Sequence, residues 1–169
     1  MIRILGIDPG LRTTGYGAIS CSERGAELIE AGTVKPDTTS PLAVRLQQLH
    51  DGICEVVECV RPDVIVIEEL YSTYRNPGAA LMMAHARGVL CLAGAQHGVP
   101  VHTLAHSLVK RALVGAGSAG KDRVKRMVTA ALRLQSNPHP DDVSDALALA
   151  LALHNVREHE ARLPVTAHR

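Results

Sequence analysis

The sequence predicts an α/β domain with a mixed five-stranded sheet, in which an antiparallel meander is joined to parallel strands, and with helices on both faces. Three observations favour this class. Three short β-rich runs follow one another near the N-terminus, at residues 3–8, 15–21 and 27–35. A continuous β-branched run at residues 64–67 is typical of a strand that is buried on both faces. Helical patterns then alternate with one further short strand.

The remaining elements follow from local signals in chain order. An Asp-Pro-Gly turn at residues 8–10 ends the first strand, and Glu-Arg-Gly at 23–25 separates the second strand from the third. Apolar residues recur at helical spacing from Leu42 until Pro62 ends that helix. Later patterns predict strands at 63–68 and 99–104 and helices at about 77–97, 106–114, 121–134 and 142–156. This order is expected of a ribonuclease H-like fold.

The length and composition fit one globular domain. We expect the domain to cover residues 1–156 and a polar, disordered tail to cover 157–169, because the tail contains Pro164 and little apolar surface. The formal net charge is +1, so attraction of the whole protein to nucleic acid is excluded and any such surface must be a local cluster.

The cysteines and the apolar stretches bear on location. The four cysteines form no Cys-x-x-Cys pair, which predicts buried thiols in a reducing compartment rather than zinc ligands or disulfides. The N-terminus reads as a strand rather than a signal peptide. The most apolar stretch, residues 79–95, is interpreted as too short to span a bilayer. We therefore expect a cytoplasmic protein with no membrane partner.

Acidic residues stand where three predicted elements begin or end. Asp8 closes the first strand and Glu68 closes the fourth, so neighbouring strands would present both carboxylates at one edge of the sheet. Asp142 and Asp145 are three apart at the start of the last helix and share one face of it. Four converging carboxylates need cations, and hard oxygen ligands suit Mg²⁺ or Mn²⁺. Two such metals can activate water and stabilise a leaving 3′ oxygen, which is phosphodiester hydrolysis.

Each acidic residue alone also has an ordinary structural interpretation. Asp8 before Pro-Gly is common turn chemistry. Asp142 is a good helix N-cap, and Asp145 favours the helix dipole. The combination of all three positions is much more specific than any one of them.

Six segments carry a resemblance to a known family. They are Ile4-Leu5-Gly6-Ile7-Asp8-Pro9-Gly10, Thr14-Gly15-Tyr16-Gly17, Ile67-Glu68, Ala86-Arg87-Gly88, Val114-Gly115-Ala116-Gly117-Ser118-Ala119 and Asp142-Val143-Ser144-Asp145-Ala146-Leu147. In order and spacing they resemble the RuvC family of Holliday junction resolvases over nearly the whole chain. The resemblance implies a ribonuclease H-like, homodimeric endonuclease that nicks two strands of a four-way DNA junction symmetrically, in recombination and repair.

The resemblance also implies roles for residues. It assigns catalysis and metal binding to Asp8, Glu68, Asp142 and Asp145. The third position varies in the family, so Asp141 and His139 stay open as alternatives to Asp142 there. The cofactor implied is Mg²⁺, replaceable by Mn²⁺, with two ions per active site. Whether a branch-migration motor complex is a further partner stays open.

Basic residues cluster around the Gly-rich segment 115–120. Lys110, Lys121, Arg123 and Lys125 belong to this cluster, which one acid opposes. A solvated helix face is the ordinary interpretation of such a charge run. Because an acidic site is expected nearby, we interpret the cluster as a DNA-binding surface. By resemblance, Lys110 and Lys121 match basic positions near the scissile phosphate.

Two of the three aromatic residues of the chain follow the Glu68 strand within six positions. Tyr71 and Tyr74 accompany Arg75 and Asn76 there, and a tyrosine can stack on an unpaired base. Packing at the domain edge is the alternative. An arginine such as Arg75 can hold the DNA backbone. By resemblance, Tyr71 takes the role of a wedge at the crossover.

The helix expected over 77–97 is apolar nearly all round. One face can pack on the sheet, while the small residues Ala80, Ala84 and Gly88 would let a symmetry mate approach closely. A simple core helix is the alternative.

Two other functions compete with junction cleavage. The first is a phosphotransferase of the actin and sugar-kinase type, which shares the fold but usually has two such domains, for which this chain is too short. The second is a junction-binding protein without activity, or a related nuclease that acts on RNA ends.

Overall fold

A computed structural model of the chain describes residues 1–69 and 77–162, and the element bounds below refer to this part. The strands are β1 (Ile2–Asp8), β2 (Thr14–Ser22), β3 (Gly25–Val34), β4 (Val64–Glu68) and β5 (Val101–Leu104). The helices are α1 (Leu42–Val60), α2 (Pro77–Gln96), α3 (His106–Val114), α4 (Lys121–Ala131) and α5 (Asp141–Arg162).

The five described strands form one sheet in the order β3-β2-β1-β4-β5. The pairs β1–β2 and β2–β3 are antiparallel, whereas β1–β4 and β4–β5 are parallel. The mixed sheet predicted from the sequence is thus confirmed, and β1 is its central strand. The central strand is the one whose end carries Asp8.

Alternation along the strands sends apolar side chains to two cores. On one face, Leu5, Ile7 and Ile65 pack with α1 and α2. On the other face, Ile4 and Val66 pack with α3, α4 and α5. Because side chains alternate along a strand, Asp8 follows Ile4 and Gly6 onto the face that α5 covers.

The last helix is longer than the sequence predicts. It continues to Arg162, so residues 157–162 are helical and the expectation of a tail from 157 is wrong for them. The apolar periodicity ends at Val156 because the final turns carry mostly polar residues. Polar residues with good helix propensity can nevertheless continue a helix that has no neighbouring element to pack against. Residues 163–169 lie outside the described part.

Helix α2 agrees with the predicted helix to within one residue and extends beyond the apolar stretch 79–95. At 20 residues it is the one helix in ranges 1–69 and 77–162 that is long and apolar enough to cross a membrane by those two criteria. However, Ala86, Leu90 and Ala93 are fully buried against the sheet and α1. Leu81 and Leu92 are 60% and 51% exposed. The helix therefore covers the sheet with one face and leaves an apolar face uncovered.

Candidate active site

The carboxyl ends of β1 and β4 bring two acids side by side. Ile7 pairs with Ile67 in parallel register, so Asp8 and Glu68 come next on adjacent strands. On the other side of Asp8, β2 contributes Gly15, its cross-strand partner. The row across the sheet edge is therefore a glycine, two carboxylates and then Leu104, which pairs with Glu68.

Glycines let α5 approach this row at the distance of backbone contact. A Cβ atom on Gly15 would overlap the backbone carbonyl of Asp142, and one on Gly6 would overlap the carbonyl of Ala146. A Cβ atom on Gly17 would instead overlap the side chain of Leu147. The first turns of α5 thus lie directly on β1 and β2, which brings Asp142 and Asp145 to the two strand-end carboxylates.

The electrostatics of Asp8 show that the acids converge. The pKa of Asp8 is raised from 3.8 to about 7, mainly by burial and then by the charges of Asp145, Glu68 and Asp142 in that order. Lys121 acts in the opposite direction. A carboxyl at the end of a hydrophobic strand, close to three like charges, is a site that a cation would stabilise.

Two lysines of α4 contact acids of α5. Lys121 Nζ lies 3.2 Å from Asp145 Oδ2 and lines a cleft with Glu68 and Lys110. Lys125 Nζ lies 2.6 Å from Asp141 Oδ1 and lowers the pKa of that exposed acid. Asp141 is therefore drawn to Lys125 and, unlike its neighbour Asp142, is not among the charges that act on Asp8.

The carboxylates at this edge fit a divalent metal by their chemistry, although their side chains are not yet arranged around one point. In the part of the chain that the structure describes, no three His, Cys, Asp or Glu side chains are arranged to ligate one ion together. The charges that raise the pKa of Asp8 nevertheless come from three acids within Coulomb range. Carboxylate oxygens from two strand ends and one helix face are the ligands that Mg²⁺ and Mn²⁺ prefer.

Two residues that were not assigned to the site from the sequence, His106 and Arg87, contact Glu68. Nδ1 of His106 lies 2.6 Å from its Oε1. Nε of Arg87 donates to the backbone oxygen of Glu68 at 3.4 Å, and its Nη2 donates to Thr103 Oγ1 at 2.6 Å. The pairing of Leu104 with Glu68 would have indicated that His106 lies near Glu68, because His106 follows Leu104 by two positions. Spacing along one chain does not reveal such a pairing.

The predicted DNA-binding residues fall into three groups. Lys110 and Lys121 line the cleft beside Glu68, and Arg123 is exposed on α4. The Lys125 side chain is only 19% exposed and is paired with an acid, so it is less available to DNA than Lys121 or Arg123, which are exposed. Tyr71, Tyr74, Arg75 and Asn76 lie outside the described residues, so their roles stay predictions.

A large surface cavity of about 990 Å³ lies elsewhere. Glu23 and His154 are among its lining residues, at the opposite end of the sheet from Asp8. The acidic edge therefore does not lie in this cavity. An open edge suits a large substrate better than an enclosed cavity does.

Removing the charge of Asp8 is expected to stabilise the metal-free protein. The raised pKa means that the folded state binds more protons than the unfolded state between pH 3.8 and about 7, so ionised Asp8 opposes folding above that window. Asp8→Asn should raise the free energy of unfolding at pH 8 by up to about 4 kcal/mol, and the gain should vanish near pH 4. Urea unfolding of both proteins in EDTA at pH 8 and at pH 4 measures this difference in the free energy of unfolding.

Asp141→Asn provides a control of opposite sign. Its pKa is lowered by Lys125, so this substitution should destabilise the protein at pH 8. If Asp8→Asn proves no more stable than the wild type at pH 8, burial and the neighbouring acids do not destabilise the ionised Asp8 carboxyl.

The fold and the acidic edge define a ribonuclease H-like domain of the nuclease type. The sequence model of the family described as crossover junction endodeoxyribonuclease RuvC matches residues 4–154. The chain belongs to this family.

Relatives and solved structures agree with this assignment. A crossover junction endodeoxyribonuclease RuvC of Rhodopirellula baltica is 44% identical over 151 residues, which are 89% of this chain and 85% of that protein. One of Legionella pneumophila is 38% identical over 96% of this chain and 92% of its own. The Thermus thermophilus RuvC structure has a TM-score of 0.88 at 31% identity and covers 94% of this chain and 97% of its own.

Proposed function

We propose that this chain is an endonuclease that resolves four-way DNA junctions by paired symmetric nicks, in homologous recombination and repair in the cytoplasm. The convergence of Asp142 and Asp145 on the strand-end pair Asp8 and Glu68 carries the proposal. The choice of substrate is supported by a solved structure of T. thermophilus RuvC in complex with Holliday junction substrate, with a TM-score of 0.85 at 30% identity over 94% of this chain and 96% of its own.

The proposed cofactor is Mg²⁺, replaceable by Mn²⁺, at two ions per active site. Asp8, Glu68, Asp142 and Asp145 would hold it, and the raised pKa of Asp8 supports a site that lacks positive charge. Such ions supply an activated water and stabilise the leaving 3′ oxygen. We propose Asp142 rather than Asp141 or His139 as the third acid, because Asp141 is paired with Lys125.

Two lysines of this chain can offset the negative charge of the substrate. A phosphate that approaches four carboxylates is repelled by them, and the ammonium group of Lys121 lies at this edge, 3.2 Å from Asp145. Lys110 lines the same cleft. Both can hold the phosphate against the acids and orient it.

A synthetic four-way junction tests the proposed function directly. Each strand is labelled in turn, the protein is added with Mg²⁺, and products are resolved on a denaturing gel. Two nicks at symmetry-related positions are expected, with linear duplex of the same sequence left intact. Equal cleavage of the duplex, or cleavage of an RNA substrate in preference to the junction, would overturn the proposal.

The basic cluster around residues 110–125 is the proposed DNA surface. Lys121→Ala and Arg123→Ala should each weaken junction binding and lower the slope of log K against log salt by about 0.9, the contribution of one phosphate contact. Titration by fluorescence anisotropy in EDTA at several salt concentrations measures the slope. Arg24→Ala, in the β2–β3 turn at the far end of the sheet, is the control and should leave it unchanged. Unchanged slopes in both test variants would place the DNA elsewhere.

The uncovered face of α2 is the proposed homodimer surface. Leu81 and Leu92 are exposed there, and a Cβ atom on Gly88 would have no neighbour within 4 Å. A second copy fits because a four-way junction has two equivalent strands to cut, and a two-fold dimer supplies two equivalent sites.

Leu81→Glu should therefore separate the dimer. The expected result in light scattering coupled to size exclusion is a mass that falls from two chains to one of 18.0 kDa. Met127→Glu is the control, because Met127 is also an exposed apolar residue but lies on α4. A wild-type protein that is monomeric at micromolar concentration would contradict this surface.

A further inference from the structure

The loop between β5 and α3 brings a histidine to the acidic edge. Leu104 ends β5 and pairs with Glu68, Ala105 is extended, and His106 begins α3. Its Nδ1 atom is 2.6 Å from Oε1 of Glu68, which is hydrogen-bonding distance for a nitrogen and an oxygen. This contact joins a residue of α3 to the acid at the end of β4.

The backbone and the side chain of Glu68 are held by different groups. Arg87 of α2 donates to its backbone oxygen and also to Thr103 of β5, which fixes where β4 ends. That contact leaves the carboxylate free to rotate about three side-chain bonds. Within residues 1–69 and 77–162, His106 is at hydrogen-bonding distance of the carboxylate itself.

The position of this contact argues against a role in packing. The His106 side chain is 45% exposed and that of Glu68 is 26% exposed, so little apolar surface is covered by their meeting. The cleft that they line also contains Lys110, Lys121 and Asp145. Repulsion from Asp8 favours rotation of the Glu68 carboxylate away from that acid, and His106 opposes this rotation by holding one of its oxygens.

We propose that His106 is a positioning residue that holds the Glu68 carboxylate at the acidic edge in the orientation that binds the metal. The inference rests on the proposed role of Glu68 as a metal ligand. Partners that orient a ligand in this way change metal affinity by about 10- to 100-fold when they are removed. His106 would therefore act on the metal through Glu68 and not by contact with DNA.

Mn²⁺ binding measured by electron paramagnetic resonance, without DNA, tests the proposal apart from activity. His106→Ala should weaken Mn²⁺ binding by about 10-fold. His106→Asn should restore most of it, because its amide nitrogen can occupy the place of Nδ1. In cleavage assays, His106→Ala should need about 10-fold more Mg²⁺ for half-maximal rate, while junction binding in EDTA is unchanged. His102→Ala, an exposed histidine of β5, is the control and should alter none of these values.

The double variant Glu68→Ala with His106→Ala separates this inference from the proposed function. If His106 acts through Glu68, the double variant should bind Mn²⁺ no more weakly than Glu68→Ala alone. Glu68→Ala with wild-type affinity would overturn both the metal role of Glu68 and this inference. A normal or stronger affinity in His106→Ala, with a weakened Glu68→Ala, would overturn the inference alone. A further loss in the double variant would make His106 an independent ligand and also overturn it.

Discussion

Asp8→Asn, Glu68→Gln and Asp145→Asn should each abolish junction cleavage while junction binding persists. Each change replaces a carboxylate by an amide, which removes the negative charge and keeps the shape of the side chain, so the fold is retained. The rate should fall by at least about 10³-fold, which corresponds to about 4 kcal/mol of transition-state stabilisation and is typical of losing a metal's contribution. Asp142→Asn should behave in the same direction.

Binding should persist, or tighten, because every one of these changes removes negative charge from a surface that phosphates approach. The measurements are single-turnover nicking in Mg²⁺ and anisotropy binding in EDTA on the same junction. Glu69→Gln is a matched control, since Glu69 follows Glu68 directly and is exposed. A variant of the set that nicks at the wild-type rate would remove its residue from the site.

Gly15→Ala should disable the site without touching any acid. The added methyl group overlaps the backbone carbonyl of Asp142, which belongs to the first turn of α5 and cannot rotate away. The helix must move off the sheet, so overpacking should reduce the free energy of unfolding by about 1–3 kcal/mol. Cleavage should fall by about 100-fold, since a displacement near 1 Å of a catalytic group has effects of that size.

Gly17→Ala is the comparison that isolates the effect on the site. Gly17 is on the same strand and face, but the atoms that an added Cβ would overlap belong to the side chain of Leu147, which carries no acid. A similar loss of stability with a much smaller loss of cleavage is expected there. Equal loss of cleavage in both variants would mean that general destabilisation, and not displacement of Asp142, explains the result. Nicking rates and urea unfolding of the two variants decide between these outcomes.

Much of the architecture was predictable because its signals are local. The alternation and β-branching of residues 64–67 predict a buried strand, and the spacing from Leu42 predicts a helix, since each depends only on the periodicity of its own segment. The strand-end position of Asp8 and Glu68 follows from the same patterns. The end of α5 is not predictable in this way, because the final turns up to Arg162 carry no apolar periodicity.

The sequence by itself determined most of the elements and the acids that stand at their ends, and these acids predict a hard divalent cation as the cofactor. The tertiary structure alone showed that Asp142 rather than Asp141 approaches Asp8, because glycines of β1 and β2 admit the α5 backbone at that point and Lys125 draws the other acid away. It also brought His106 to Glu68. The physical reason is that strand register and helix docking depend on contacts between distant segments, which the periodicity of any one segment does not encode.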